Sequence, residues 1–479
     1  MSTGRPAILV AATHSGAGKT TVVAVLLRTL RARGLTVQAF KAGPDFIDTA
    51  YHAEATGRPA INLDLWMTGA DAVRRSFDTF AADADISVIE AVGGLFDSTD
   101  GTDAGSGAHL AKLLRVPVLL VLDVWGMTRT TGAVLDGMRG FDPALDIAGC
   151  VLNRVGGEAH AAMIMASLRP DQRELVVGSI RHRPDLTIPE RHLGLLTTTE
   201  NRMPAADRSA AHRAAGAGLD VGRLLTAARR RPPDPYPEPP PIIRPARARL
   251  AVARDAAFCF YYEENLRLLR AAGFEIVPFS PIADPGLPAG ADAVYLGGGY
   301  PESFAADLAA NTGLAADLRR HVRAGVPVYA ECGGLMYLGE SLTLHSGDRY
   351  PMAGVLPVHV AMDPAHLAIR YAGLRTRHRS PLGPAGTTLR GQEFHQSRVT
   401  RAEPLPPLFT ATGTDGGAAP SGYLTGRVAA SYFHIHLASN PQVAQHFLAA
   451  AVTGRTRPAP TSKTEEPCDP DSPSAPPEA

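Results

Sequence analysis

A glycine-rich segment near the N-terminus, Ser15-Gly-Ala-Gly-Lys-Thr-Thr21, has the residue types of a site that binds nucleotide phosphates. Gly16 and Gly18 allow the backbone to curl, so that several N–H groups can point at one anion. Lys19 supplies a charge for the β- and γ-phosphates, and the Thr20 hydroxyl is a typical Mg²⁺ ligand. Thr13 stands where such a loop usually has its first glycine. The remaining pattern predicts ATP binding at Ser15, Gly16, Ala17, Gly18, Lys19, Thr20 and Thr21.

Acidic and basic side chains follow two further apolar runs, at residues 36–40 and 85–91. Lys41, Asp45 and Asp48 come after the first run, and Glu90 closes the second. Taken alone, the first group could be a solvated loop, but loops at the carboxyl ends of strands carry function in α/β proteins. Mg²⁺ is held by a few oxygen ligands. We therefore expect Lys41 to contact the nucleotide, Asp48 to orient the substrate, and Mg²⁺ to be bound by Thr20, Asp45 and Glu90.

Cys332 lies between an apolar run at residues 326–330 and Gly333-Gly334. A cysteine on a sharp turn from strand to helix has the geometry of a nucleophile, and the helix N-terminus is expected to lower its thiol pKa. A lone cysteine is otherwise most often a small buried apolar residue. Three glycines follow the predicted strand at residues 293–296, and their N–H groups could bind an oxyanion. Gly298 and Gly299 are the predicted substrate contacts.

A cysteine nucleophile requires a base, which can be distant in sequence. His434 and His436 follow the apolar run at residues 428–433. The alternation of a strand places both on one face, so the pattern does not choose between them. A second polar cluster, Gly391-Gln-Glu-Phe-His-Gln-Ser397, has no assigned role.

The elements that would position these residues form two α/β halves. Apolar runs alternate with helical patterns throughout residues 7–200, with predicted strands at residues 7–12, 36–40, 85–91, 116–123, 147–152, 176–180 and around 193–198. This alternation predicts a doubly wound, mostly parallel sheet. Asn153 follows one of these strands, and an amide there often reads a purine edge, so it is a predicted nucleotide contact.

A proline-rich stretch divides the chain. We predict an ATP-binding domain at residues 1–228, an extended linker at 229–247, a second α/β domain at 248–455 and a disordered tail at 456–479. Predicted strands of the second domain are at residues 250–253, 275–279, 293–296, 326–330 and 428–433, with a helix at 265–272.

Composition and sequence pattern argue against nucleic-acid binding, membrane association, secretion and a cysteine metal site. The chain has 479 residues with 47 basic and 47 acidic side chains, so its formal net charge of zero gives no support for binding nucleic acid or a membrane surface. No apolar run approaches the length of a membrane span, and no signal peptide precedes the phosphate loop. The four cysteines are widely spaced and show no metal pattern. These features predict a cytoplasmic protein with reduced thiols.

Taken together, these motifs resemble the glutamine amidotransferases of the cobalamin pathway, and among them the a,c-diamide synthase family. The resemblance covers nearly all of residues 5–450. It rests on the motifs at residues 15–20, 41–48, 252–262, 297–302, 330–337 and 431–436.

The resemblance implies an N-terminal domain like dethiobiotin synthetase and a C-terminal class I glutamine amidotransferase domain. Cys332 would attack the glutamine amide, with His434 as base because of its Tyr-x-His context. ATP with Mg²⁺ would phosphorylate the a and c carboxylates of hydrogenobyrinic or cobyrinic acid, and ammonia would displace phosphate.

Some features depart from the family or leave alternatives open. Family members often have glycine where this chain has Ala91 and histidine where it has Gln392, and the acidic residue expected two positions after His434 is His436. Another tetrapyrrole could be the substrate, as in cobyric acid or nickel-sirohydrochlorin synthesis. A phosphate-loop switch ATPase with a binding module is the alternative of a different class. The oligomeric state stays open, with a homodimer among the assemblies compatible with the sequence.

Overall fold

The computed structural model describes residues 5–98, 100–186, 203–228 and 247–454. The predicted strand around residues 193–198, the linker apart from Arg247 and the predicted tail at 456–479 lie outside the described residues. Every other strand predicted above is present, with ends that coincide or differ by at most three residues.

The N-terminal half is built on a seven-stranded parallel sheet. Its elements are β1 Ala7–Ala12, α1 Lys19–Ala32, β2 Val37–Ala42, α2 Ile47–Thr56, β3 Ile61–Leu63, α3 Leu65–Thr68, α4 Ala70–Ala81, β4 Ile86–Glu90, α5 Gly107–Leu114, β5 Val118–Asp123, α6 Thr130–Phe141, β6 Ile147–Val155, α7 Glu158–Ser167, α8 Pro170–Leu175, β7 Val176–Arg181, α9 Ala205–Gly216 and α10 Val221–Ala227. The strand order is β3-β2-β4-β1-β5-β6-β7.

This order explains how distant residues reach one edge of the sheet. Every residue of β1, β2 and β4 is buried, as expected for parallel strands that are covered on both faces. Since neighbouring parallel strands end at the same edge, the phosphate loop after β1 lies beside Lys41 on β2, Glu90 on β4 and Asn153 on β6. The predicted doubly wound sheet is confirmed.

The C-terminal half contains a second, mostly parallel sheet and two further sheets. Its elements are β8 Ala248–Ala253, α11 Glu263–Ala272, β9 Phe274–Phe279, β10 Ala293–Leu296, α12 Ala305–Ala310, α13 Thr312–Arg323, β11 Val328–Glu331, α14 Gly333–Leu338, β12 Ser341–Thr343, β13 Arg349–Pro351, β14 Val358–Met362, β15 Ala368–Thr376, β16 Thr388–His395, β17 Ser397–Ala402, β18 Phe409–Gly413, β19 Ala418–Ser421, β20 Tyr423–Thr425, β21 Val428–Ser431, β22 His434–Ile435 and α15 Gln442–Gly454. The sheet orders are β20-β21-β11-β10-β8-β9, β13-β12-β14-β17 and β19-β18-β15-β16-β22.

The two mainly antiparallel sheets, spanning residues 341–435, were not predicted. Several of their strands have one or both faces in solvent: β13 and β19 contain no buried residue. Such strands lack the apolar run or the alternation that identifies a strand in a sequence. No helix of the described ranges has the length and apolar character needed to cross a bilayer.

The two halves contact each other through side chains far from the linker. The Tyr371 hydroxyl donates to Asp64 Oδ2 at 2.7 Å, and Arg390 Nη1 donates to the Trp66 carbonyl at 2.7 Å. The Trp66 and Tyr371 rings are 4.9 Å apart. At a second place, Phe46 of the N-terminal half packs on Phe260.

Two candidate active sites

The phosphate loop has the backbone conformation that its glycines predict. Gly16 and Gly18 have positive φ angles of 82° and 86°. A Cβ at Gly18 would lie 2.4 Å from Asn153 Nδ2, so a larger residue cannot occupy this position. The same amide donates to the Ala17 carbonyl at 2.9 Å. Asn153 therefore braces the loop, and its contact with a purine stays a prediction.

A cavity of about 360 Å³ opens at the loop. All the predicted nucleotide, metal and substrate residues of the N-terminal half line it except Ala17, whose side chain is buried in the core. Sequence reasoning missed the opposite wall, formed by Arg154 and by residues 180–183 and 186. Arg154 Nη2 donates to the Gly16 carbonyl at 2.9 Å, and its Nη1 donates to Asp123 at 2.7 Å.

Glu90 is fully buried and accepts three hydrogen bonds. Thr20 Oγ1 and Lys41 Nζ donate to Oε1 at 2.7 and 2.9 Å, and His52 Nε2 lies 2.7 Å from Oε2. Burial opposes ionisation of Glu90, but Lys41 and His52 outweigh it and hold its pKa below the ordinary value. Glu90 is therefore an ionised carboxylate beside the Thr20 hydroxyl. His52, on α2, was missed because a lone histidine in a helix carries no sequence signal.

Lys41 joins the two buried carboxylates. Its Nζ lies 2.5 Å from Asp48 Oδ2 and 2.9 Å from Glu90 Oε1. Burial lowers the pKa of Lys41, but the two carboxylates outweigh it and raise the pKa overall. Burial raises the pKa of Asp48 to about 7 against the effect of Lys41. Lys41 thus stays charged at the floor of the cavity.

Asp45 makes a structural contact within its own segment. Its Oδ1 accepts from the backbone N–H groups of Ile47 and Asp48 at 2.7 and 2.8 Å, which fixes the first turn of α2. The residues fit Mg²⁺ by their chemistry, because the Thr20 hydroxyl, the Glu90 carboxylate and the Asp45 carboxylate offer oxygen ligands in one cavity. Within the described residues, no three His, Cys, Asp or Glu side chains form a metal cluster. Phosphate oxygens and water would complete the ligand set.

Cys332 occupies the predicted turn between β11 and α14. Its φ and ψ are 47° and −104°, unusual for a residue with a side chain, and its N–H donates to the Ser431 carbonyl at 2.8 Å. The expected lowering of the thiol pKa by the helix is wrong for this conformation. Burial raises the pKa of Cys332 more than the Gly333 N–H lowers it, and α14 is only six residues long.

The three glycines after β10 lie against this turn. The Gly334 N–H donates to the Gly297 carbonyl at 3.0 Å. The Gly299 nitrogen is 3.1 Å from where a Cβ of Gly333 would be, and a Cβ at Gly298 would be 2.2 Å from His434 Cε1. The predicted oxyanion glycines are therefore close to both the thiol segment and His434.

The surroundings of the two histidines differ, because β22 ends at Ile435 and the strand alternation stops there. His434 Nδ1 lies 3.9 Å from Glu331 Oε2, is buried and has no hydrogen-bond partner. His436 Nδ1 accepts from the Ala438 N–H at 3.3 Å, and its ring stacks on Tyr262 at 4.8 Å. Burial lowers the pKa of His434 to about 3, so its ring is neutral at pH 7.

Glu331 is a buried acidic residue whose carboxylate lies 3.9 Å from His434 Nδ1. Sequence reasoning assigned it no role. The Tyr329 and Tyr295 hydroxyls donate to it at 2.5 and 2.9 Å, and the Ile435 N–H donates at 3.0 Å. Burial raises its pKa to about 7. The position two residues after His434 holds His436, whereas the fold supplies an acidic side chain from the residue before the nucleophile.

The polar cluster at residues 391–397 lines a second cavity, of about 480 Å³. Arg370 Nε lies 3.2 Å from Glu393 Oε1, and the His395 ring stacks on Tyr432 at 3.8 Å. Tyr432 follows Ser431, whose carbonyl accepts the Cys332 N–H. This cavity therefore adjoins the Cys332 segment, because Tyr432 lines the cavity and the preceding residue, Ser431, binds the Cys332 backbone.

Comparisons with known proteins match both halves. A family model described as the CobQ/CobB/MinD/ParA nucleotide binding domain matches residues 8–196, and the CobB/CobQ-like glutamine amidotransferase domain matches residues 249–442. A protein of Syntrophotalea carbinolica named cobyrinate a,c-diamide synthase is 40% identical over 92% of this chain and 98% of its own. Proteins of the same name from Synechocystis sp. and Gloeobacter violaceus are 38% and 40% identical, over 93% and 95% of this chain and 93% and 99% of their own.

Proposed function

The chain belongs to the cobyrinate a,c-diamide synthase family of glutamine-dependent amide-forming ligases, and we propose that it amidates the a and c carboxylates of hydrogenobyrinic or cobyrinic acid. The observation that carries this proposal is the presence in one molecule of a phosphate-loop cavity and a Cys332–His434 site, in contact through Phe46. We assign the first site to residues 1–228 and the second to residues 248–455.

At the second site, His434 takes the thiol proton and the Cys332 sulfur attacks the glutamine amide carbon. The N–H groups of Gly298 and Gly299 would stabilise the oxyanion that forms. His434 gives the proton to the amide nitrogen, the C–N bond breaks and ammonia leaves. Water then hydrolyses the thioester, which releases glutamate and restores the thiol. Glu331 Oε2 lies 3.9 Å from His434 Nδ1, and we propose that it orients the ring through this atom. His436 stacks on Tyr262 and supports this region.

At the first site, an oxygen of the macrocycle carboxylate attacks the γ-phosphorus of ATP and ADP leaves. Ammonia then adds to the acyl carbon, and phosphate departs with the bonding electrons. Lys19 and Lys41 supply positive charge for the phosphates and for the buried carboxylates Asp48 and Glu90. Asp48 faces the reacting carboxylate. Thr20, Glu90 and Asp45 would hold Mg²⁺, which neutralises phosphate charge when bound.

The second cavity suits the amino-acid end of glutamine. Glu393 is buried, and its carboxylate can accept the α-ammonium group, while the half-exposed Arg370 can pair with the α-carboxylate. In the free protein these two side chains neutralise each other. We propose that glutamine replaces this ion pair with two pairs of its own.

A third cavity, of about 520 Å³, suits the macrocycle. It is lined from both halves, including Trp66, Tyr371, Arg390 and His109, and it shares Val92 and Gly93 with the nucleotide cavity. Aromatic and apolar walls can cover a flat ring system, and the basic side chains can pair with its peripheral carboxylates.

The test separates the two half-reactions. Cys332→Ser is expected to abolish amidation with glutamine while leaving amidation with ammonium salts intact, because the thiol acts only in releasing ammonia. Products formed from each macrocycle, with ATP and Mg²⁺, are weighed by mass spectrometry. Cys259→Ser, at an exposed cysteine, is the matched control. Glutamine-dependent amidation at the wild-type rate in Cys332→Ser would contradict the proposal.

A further inference from the structure

Phe46 lies between the two proposed sites. Its neighbours Asp45 and Ile47 both line the nucleotide cavity. Its own ring points the other way, toward the C-terminal half, and lies 5.0 Å from the His434 ring. A single residue therefore separates the wall of the phosphate site from the base of the Cys332 site.

The Phe46 ring belongs to an aromatic cluster, here defined as Phe46, Phe260 and Tyr262. Phe46 stacks on Phe260 at 5.1 Å with 10° between the rings, and it lies 4.6 Å from Tyr262. Phe260 also approaches His434, at 6.4 Å. No charged side chain belongs to this cluster, so it disfavours the ammonium ion, which would lose its hydration there, far more than neutral ammonia.

The reaction requires ammonia to travel between the sites. It is released where His434 and Cys332 act and is consumed where the acyl-phosphate forms beside Asp48. Provided the proposed function holds, we propose that ammonia passes from one site to the other at the Phe46 ring, which closes this passage in the conformation described here. Neutral ammonia arrives with its lone pair, attacks the acyl carbon and loses a proton as phosphate leaves.

The backbone around Phe46 connects this passage to the nucleotide cavity. Asp45 Oδ1 holds the N–H groups of Ile47 and Asp48, which fixes the turn that presents the ring. Asp48 is in turn paired with Lys41.

The experiment measures glutamate and amide formation in the same reaction of the full chain. In Phe46→Ala we expect about threefold or more glutamate per amide than in wild type, because ammonia is no longer kept next to its acceptor. Amidation with saturating ammonium should stay near the wild-type rate. Phe46→Leu keeps an apolar side chain and should retain most of the coupling. Phe141→Ala, at an exposed phenylalanine of the same half, is the control.

Two outcomes would overturn the passage. The first is an unchanged ratio of glutamate to amide in Phe46→Ala. The second is a parallel loss of glutamine- and ammonium-dependent amidation in a folded Phe46→Leu, which would make the residue merely structural. A wild-type protein that forms no amide from either nitrogen source would instead refute the proposed function, so the two failures are distinct.

Discussion

Replacing Gly298 by alanine tests the geometry of the glutaminase site through a single methyl group. In the structure, the new Cβ would lie 2.2 Å from His434 Cε1, 3.1 Å from Nδ1 and 3.2 Å from Nε2, whereas ordinary contact begins at 3.4 Å. The ring would have to retreat by the difference between 3.4 and 2.2 Å, about 1.2 Å. His434 is buried, with Phe46 against it at 5.0 Å, so it cannot move freely.

A displacement of about 1 Å of a catalytic group costs on the order of 100-fold in rate. This corresponds to about 2.7 kcal/mol of lost transition-state stabilisation. We therefore expect the kcat for glutamate release by Gly298→Ala to fall by about 100-fold. Amidation supported by ammonium salts should be unchanged, because the phosphate-loop site is not touched.

The matched control is Gly373→Ala, a glycine of β15 where the nearest atom to a new Cβ is the Thr412 carbonyl at 3.9 Å. This variant should hydrolyse glutamine at the wild-type rate. A folded Gly298→Ala protein with nearly normal glutamine hydrolysis would refute the reasoning, since either His434 would not be the base or its position would not matter.

Three further predictions concern the substrate cavities. Lys19→Ala is expected to lose amidation with both glutamine and ammonium, because it removes a charge for the phosphates; retained activity with ammonium would remove this assignment. Asp45→Asn and Glu90→Gln should raise the Mg²⁺ concentration needed for half-maximal amidation and leave glutamine hydrolysis competent, and an unchanged Mg²⁺ titration in both would make these residues structural. Glu393→Gln should raise the KM for glutamine by about tenfold or more, because it removes one charged hydrogen bond to the α-ammonium group. Glutaramate lacks the α-amino group, so the wild-type and variant proteins should use it equally. The control is Glu340→Gln, at a half-exposed carboxylate.

The parts of the sites that could be predicted are those in which local sequence determines both conformation and chemistry. The glycines around Lys19 and the turn at Cys332 belong to short segments whose residue types require one backbone path. Glu90 could be predicted because an acidic residue at the end of a fully apolar strand needs a partner.

The remaining contacts depend on which elements the fold places side by side. His52 meets Glu90 only because β2 and β4 are neighbours and α2 crosses them. Glu331 adjoins Cys332 in the chain, but its orientation toward His434 depends on the hydroxyls of Tyr295 and Tyr329. No spacing rule contains such information.

The backbone of Cys332 has a consequence for the whole molecule. A residue with a side chain at φ 47° and ψ −104° raises the free energy of the folded state by about 1–3 kcal/mol relative to a relaxed conformation. Serine at this position would keep that cost, whereas glycine would relieve it and remove the thiol. Activity and thermodynamic stability are therefore opposed at this one position. A lineage that no longer needed glutamine could gain stability by losing its nucleophile.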